Sequence, residues 1–152
     1  MERLYALAQI CKAGFDVWET YSRELDRMYT EDPGNDELYR LKYAKDPKDA
    51  IIHTIFLMEN YPFDVERFCN SLMEEMSVVY KTQSRDIKQF YEKAAVLSRI
   101  LPWDYRFEYP FYVLDCDYLE WGYFDVYEKE SKLRTEYEKA FALFERKQIC
   151  LK

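Results

Sequence analysis

The sequence predicts an all-α protein: a compact bundle of five or six helices in one domain over residues 1–152, with one extended aromatic-rich segment at about 104–116. Three observations carry this expectation. Three glycines and five prolines in 152 residues leave too few turns for many short strands. Apolar residues recur at steps of three and four through most of the chain, the period of an amphipathic helix. A hydrophobic share of 49% beside 34% charged residues is the composition of a folded core, and the length suits one domain better than two.

The first helix has the clearest pattern. Leu4, Leu7, Cys11, Gly14, Trp18, Tyr21, Leu25 and Met28 form one continuous apolar seam, with Gly14 as its weak point. Asp32-Pro33-Gly34-Asn35 ends it with turn chemistry. A short helix over Asp36–Ala44 follows. Asp46 as N-cap, Pro47 at the first helical position and Asp49 in the first turn then open a central helix over Pro47–Asn60. Tyr61-Pro62 breaks it.

Asp64 caps the next helix, whose stripe is Val65, Phe68, Leu72, Met76, Val79 and Tyr80. Ser84 is the expected cap of another, with Ile87, Phe90, Tyr91, Ala94, Leu97 and Leu101 facing inward and Pro102 closing it. Tyr105, Phe107, Tyr109, Phe111 and Val113 alternate with Arg106, Glu108, Pro110, Tyr112 and Leu114. The first half of this has a period of two, and Pro110 restricts the stretch to an extended or edge segment. The helical period returns from Asp125, with Val126, Leu133, Tyr137, Ala140, Phe141 and Phe144 on one side. The tetrapeptide Tyr-Glu-Lys-Ala stands at Tyr91–Ala94 and Tyr137–Ala140. A solenoid needs a third copy, which the chain lacks, so the bundle is preferred.

Charge and composition exclude several function classes. A net charge of −7 opposes binding to a phosphate backbone, which takes clustered Lys and Arg. The N-terminus mixes charges and aromatics where a signal peptide has an apolar core, and the apolar run Ala50–Met58 is too short to cross a bilayer. The expectation is a cytoplasmic chain with no nucleic-acid and no membrane partner. Cys11, Cys69, Cys116 and Cys150 are too far apart for a CxxC zinc knuckle and are expected to be reduced.

No motif assigns an enzyme. His53 is the single histidine; Asp49 stands one turn before it, and a hydrogen bond from His53 to Asp49 or to a carbonyl is expected rather than a metal site. Counting from Asp117, Gly122, Asp125 and Glu128 match a calcium-loop spacing, but Leu119 and Trp121 occupy positions that need oxygen ligands. Cys116 lies between Asp115 and Asp117, where negative charge disfavours a thiolate nucleophile. The three glycines are isolated, so no phosphate loop exists. The expectation is no catalytic, metal-binding or cofactor-binding residue, and no cofactor.

One stretch stands apart. Between Asp104 and Glu130 eight acids face two bases, which puts six of the seven net negative charges there, and eleven aromatics fall between Trp103 and Tyr127. Tyr and Trp are favoured at interface hot spots, and carboxylates around them steer a basic partner. The same residues also suit a lid over a core. The leading expectation is a non-enzymatic protein-binding module of adaptor, inhibitor or immunity type. Its candidate contacts are Trp103, Tyr105, Tyr109, Tyr112, Asp115, Asp117 and Trp121, and its partner carries a basic surface. Two alternatives stand beside it: a homodimer through the Leu4–Met28 seam, and a small-ligand binder or enzyme with a carboxylate–aromatic cleft.

Overall fold

The computed structural model describes the backbone of residues 1–101 and 126–151, and the side chains of residues 1–101 and 129–146. Among the described residues there are seven helices and no strand: α1 Glu2–Ala13, α2 Trp18–Glu31, α3 Asp36–Lys42, α4 Pro47–Asn60, α5 Val65–Gln83, α6 Ile87–Ser98 and α7 Val126–Leu151. The all-α bundle expected from the sequence is what the chain forms. The extended segment expected at about 104–116 lies outside the described residues.

The seventh helix comes from the break in the first. Gly14 takes φ 107, ψ 8, a left-handed conformation that costs glycine little and a residue with a Cβ more. Its N–H donates to Cys11 O at 3.0 Å and that of Phe15 to Ile10 O at 3.2 Å, the paired bonds of a Schellman stop. Phe15, the residue after the stop, is buried, as is common in this motif. The seam expected as one helix is therefore two, α1 and α2, joined by a turn. Leu4, Leu7, Tyr21 and Leu25 are buried within the fold, while Trp18 is exposed.

The other start signals are mostly met. Asn35 Oδ1 accepts from Glu37 N and Leu38 N to open α3. Asp46 Oδ1 accepts from Asp49 N at 2.9 Å to open α4, with Pro47 in its first turn. Asp64 Oδ1 accepts from Arg67 N at 3.0 Å to open α5. For α6 the expected cap moves: Asp86, not Ser84, accepts from Gln89 N at 3.1 Å. Asp86 is followed directly by the first buried apolar residue, Ile87, whereas the Ser84 carbonyl accepts from Arg134.

The chain divides into two compact units, Met1–Val79 and Tyr80–Lys152, with the boundary inside α5. In the first unit α1 packs on α2 and α4, and α3 on α2 and α4. Tyr5 stacks on Phe68 at 4.6 Å and meets Phe63 edge-on at 5.3 Å, which ties the start of α1 to α5. Arg3 reaches Glu75 at 2.8 Å and Glu24 at 3.0 Å, and Arg27 closes on Glu24 at 2.7 Å. In the second unit α6 packs on α7. The ring of Tyr80 lies 5.5 Å from Phe90, 5.9 Å from Tyr137 and 5.5 Å from Phe141, an aromatic cluster that fixes α7. Arg134 then donates to Ser84 O and Arg85 O, satisfying carbonyls just past the end of α5.

Candidate functional site

The sequence-predicted contacts Trp103, Tyr105, Tyr109, Tyr112, Asp115, Asp117 and Trp121 all lie outside the described residues. Within the first unit the structure shows a different surface, which the sequence reading missed.

Helix α4 carries apolar residues on more of its girth than its neighbours cover. Ile51, Thr54, Ile55 and Met58 are buried, yet Ile52 and Phe56, one turn apart, are 55% and 59% exposed. Beside them a groove of about 730 Å³ opens between α4 and the α1–α2 corner. Buried Phe15, Ile51 and Ile55 form its floor, and exposed Trp18, Ile52 and Phe56 its rim.

The Schellman turn is what brings Phe15 and Trp18 to this place. Trp18 opens α2 and stacks on Tyr21 with ring centroids 5.2 Å apart. Tyr21 is in turn fixed from α4: its hydroxyl lies 2.7 Å from Thr54 Oγ1, and Thr54 donates to Ala50 O at 2.9 Å. Burial pushes the Tyr21 phenol up to about 12, so this bond is neutral across the physiological range. The rim is thus supported from beneath by hydrogen-bonded packing.

The charged lining is unevenly placed. Glu2 Oε1 accepts from Asp64 N at 3.2 Å, so the start of α1 lies near the end of α4 and the two helices run antiparallel. Lys12, at the far end of α1, therefore falls at the same end of the groove as Lys48, while Glu59 stands at the other. Neither lysine forms an ion pair with a described residue. Asp16, Glu19 and Asp49 are exposed close by in sequence but do not line the groove.

Nucleophilic chemistry is poorly served here. Cys11 lines the groove, but burial pushes its thiol up to about 11, which keeps it protonated and unreactive. Cys11 is a free thiol, and Cys69 is fully buried. His53 does not pair with Asp49 or a carbonyl as expected; its Nε2 lies 3.3 Å from Glu37 Oε2 on α3. Helix α3 packs across α4 and brings the Glu37 carboxylate to it. Among the described residues no group of three or more His, Cys, Asp and Glu side chains is placed to hold a metal ion, and no helix is long and apolar enough to cross a membrane.

No family model, no curated protein and no solved structure matches this chain. Its site is read from its own residues.

One signal in the sequence pointed to the groove. Ile51-Ile52 and Ile55-Phe56 are adjacent apolar pairs, and on a helix adjacent positions are about 100° apart and cannot share one narrow stripe. A helix apolar on that much of its girth is either enclosed on all sides or presents a face to something else.

Proposed function

We propose that this chain is a non-enzymatic, intracellular protein-binding module. The observation that carries the reading is the pair Ile52 and Phe56, large apolar side chains held outside the core beside a preformed groove. Scattered single apolar residues on a surface are ordinary; a contiguous set with Trp18 beside it marks an interaction site. The acidic-aromatic stretch from Trp103 to Trp121 adds a second contact region, and its charge favours a partner with a basic surface.

Two alternatives stand beside this reading. A homodimer through the Leu4–Met28 seam would have to use Leu4, Leu7, Tyr21 and Leu25, all of them already buried. A carboxylate–aromatic cleft would rest on Asp115, Asp117 and Asp125, which lie outside the described residues; the groove itself has Glu59 as the single carboxylate among its lining residues.

The test is affinity capture from native lysate at low and at high salt with four baits: the wild type, Ile52→Asp, Phe56→Asp, and the double variant Tyr109→Ala/Trp121→Ala. The reading expects one protein captured by the wild type and lost from the α4 variants, with the helical circular dichroism of each bait unchanged. Capture that ignores all three variants would overturn it.

A further inference from the structure

Resting on the reading of the groove as a binding site, we infer that its occupant is an amphipathic helical segment of a partner protein, about three turns long and acidic at one end. Shape, surface and charge each point there.

Shape comes first. From Lys48 to Glu59 the axis of α4 rises by roughly 16 Å, which a second helix laid alongside would match with about 12 residues. The groove is bounded on one side by a helix and floored by Phe15, Ile51 and Ile55, and a helix presenting apolar residues at i, i+3, i+4 and i+7 fills such a trough.

Surface decides against a small ligand. Pockets for small molecules enclose most of their occupant. Here Phe56 and Ile52 remain more than half exposed, so a compact ligand would leave the rim in water. A helix laid over the rim covers Trp18, Ile52 and Phe56 together.

Charge sets the register. Lys12 and Lys48 stand at one end without a described carboxylate partner and Glu59 at the other. A segment with acidic residues at the lysine end and a basic residue near Glu59 is aligned by these pairs; the reverse arrangement is opposed by them.

The test is selection of the full-length chain against a displayed library of 16-residue peptides with all positions randomised, followed by titration of the enriched peptides as synthetic fluorescein conjugates. The expected winners have helical apolar periodicity and acids clustered at one end. Their affinity drops at least about tenfold with Phe56→Asp, and by a similar factor with Lys12→Glu/Lys48→Glu, which gains affinity for charge-reversed peptides. Three outcomes overturn the inference while sparing the binding site: winners that are sensitive to Phe56→Asp but lack helical periodicity, saturable displacement by dodecanoate at micromolar concentration, and a concentration-dependent dimer abolished by Phe56→Asp. Winners indifferent to Ile52→Asp and Phe56→Asp alike would remove the groove as a site altogether.

Discussion

Trp18 rests on Tyr21 with ring centroids 5.2 Å apart and planes inclined by 25°, so an exposed indole is held by a fully buried phenol. The α4 hydroxyl of Thr54 anchors that phenol. The rim of the groove is therefore coupled to the core of the first unit through one side chain.

Tyr21→Phe removes the hydroxyl and keeps the ring. Thr54 retains its bond to Ala50 O, so no buried donor is stranded. The expected cost is about 1 kcal/mol, read as a lower urea midpoint at unchanged slope, and peptide binding to the groove should be retained.

Gly14→Ala places a Cβ at φ 107 and should cost about 1 kcal/mol, with Gly14→Asn costing less because Asn tolerates the left-handed region. Because this turn sets where Phe15 and Trp18 stand, the Ala variant should also weaken groove binding. A Gly14→Ala protein as stable as the wild type would mean that the turn is not needed to end α1.

Glu24 gives the first unit an acid-side pH dependence. It is buried, and the Arg27 guanidinium bonded to it, with Arg3 beside it, holds its carboxyl below the usual carboxylate range. A depressed folded value contributes stability that is complete above the unfolded value of about 4.3 and lost as pH falls through the folded one. Glu24→Gln should cost about 1–3 kcal/mol at pH 7 and flatten the decline below pH 4.3. Thermal melts of the two proteins across that range check both statements.

Arg134 ties α7 to the link between α5 and α6 in the second unit. Its guanidinium donates to Ser84 O at 3.0 Å and Arg85 O at 2.9 Å. Arg134→Ala should cost about 1 kcal/mol, and Arg134→Lys should recover only part of it, since one ammonium does not reproduce the planar two-pronged donation. Hydrogen exchange should quicken at the end of α5 before it quickens at α4.

Most of the fold was legible because caps and stops are local chemistry. Asp46 and Pro47 placed the start of α4, and Tyr61-Pro62 its end, at the residues where they fall. The break at Gly14 was visible only as a weakness, because both halves of the seam keep the helical period across it; the left-handed turn depends on where Phe15 can be buried. Asp86 displaced Ser84 as a cap for a related reason. Both are good capping residues, and the choice was made by which start buries Ile87 and leaves the Ser84 carbonyl to Arg134.

The candidate site was much less legible. Periodicity marked α4 as apolar on several faces, which from sequence alone reads as a central helix. Exposure of Ile52 and Phe56 is decided by which neighbours pack on α4, namely α1 and α3, and such pairings are long-range. The partner of His53 was missed likewise: Glu37 is sixteen residues away in sequence and is brought near by the packing of α3.

The most direct test of the central claim is a methyl NMR titration. The full-length chain, labelled at isoleucine Cδ1, would be titrated with the tightest peptide from the library selection. If the groove is the docking site, the Ile52 and Ile55 methyl signals shift saturably, Ile87 in the second unit stays still, and Phe56→Asp abolishes the shifts. Saturable binding that leaves Ile52 and Ile55 unmoved would contradict the account.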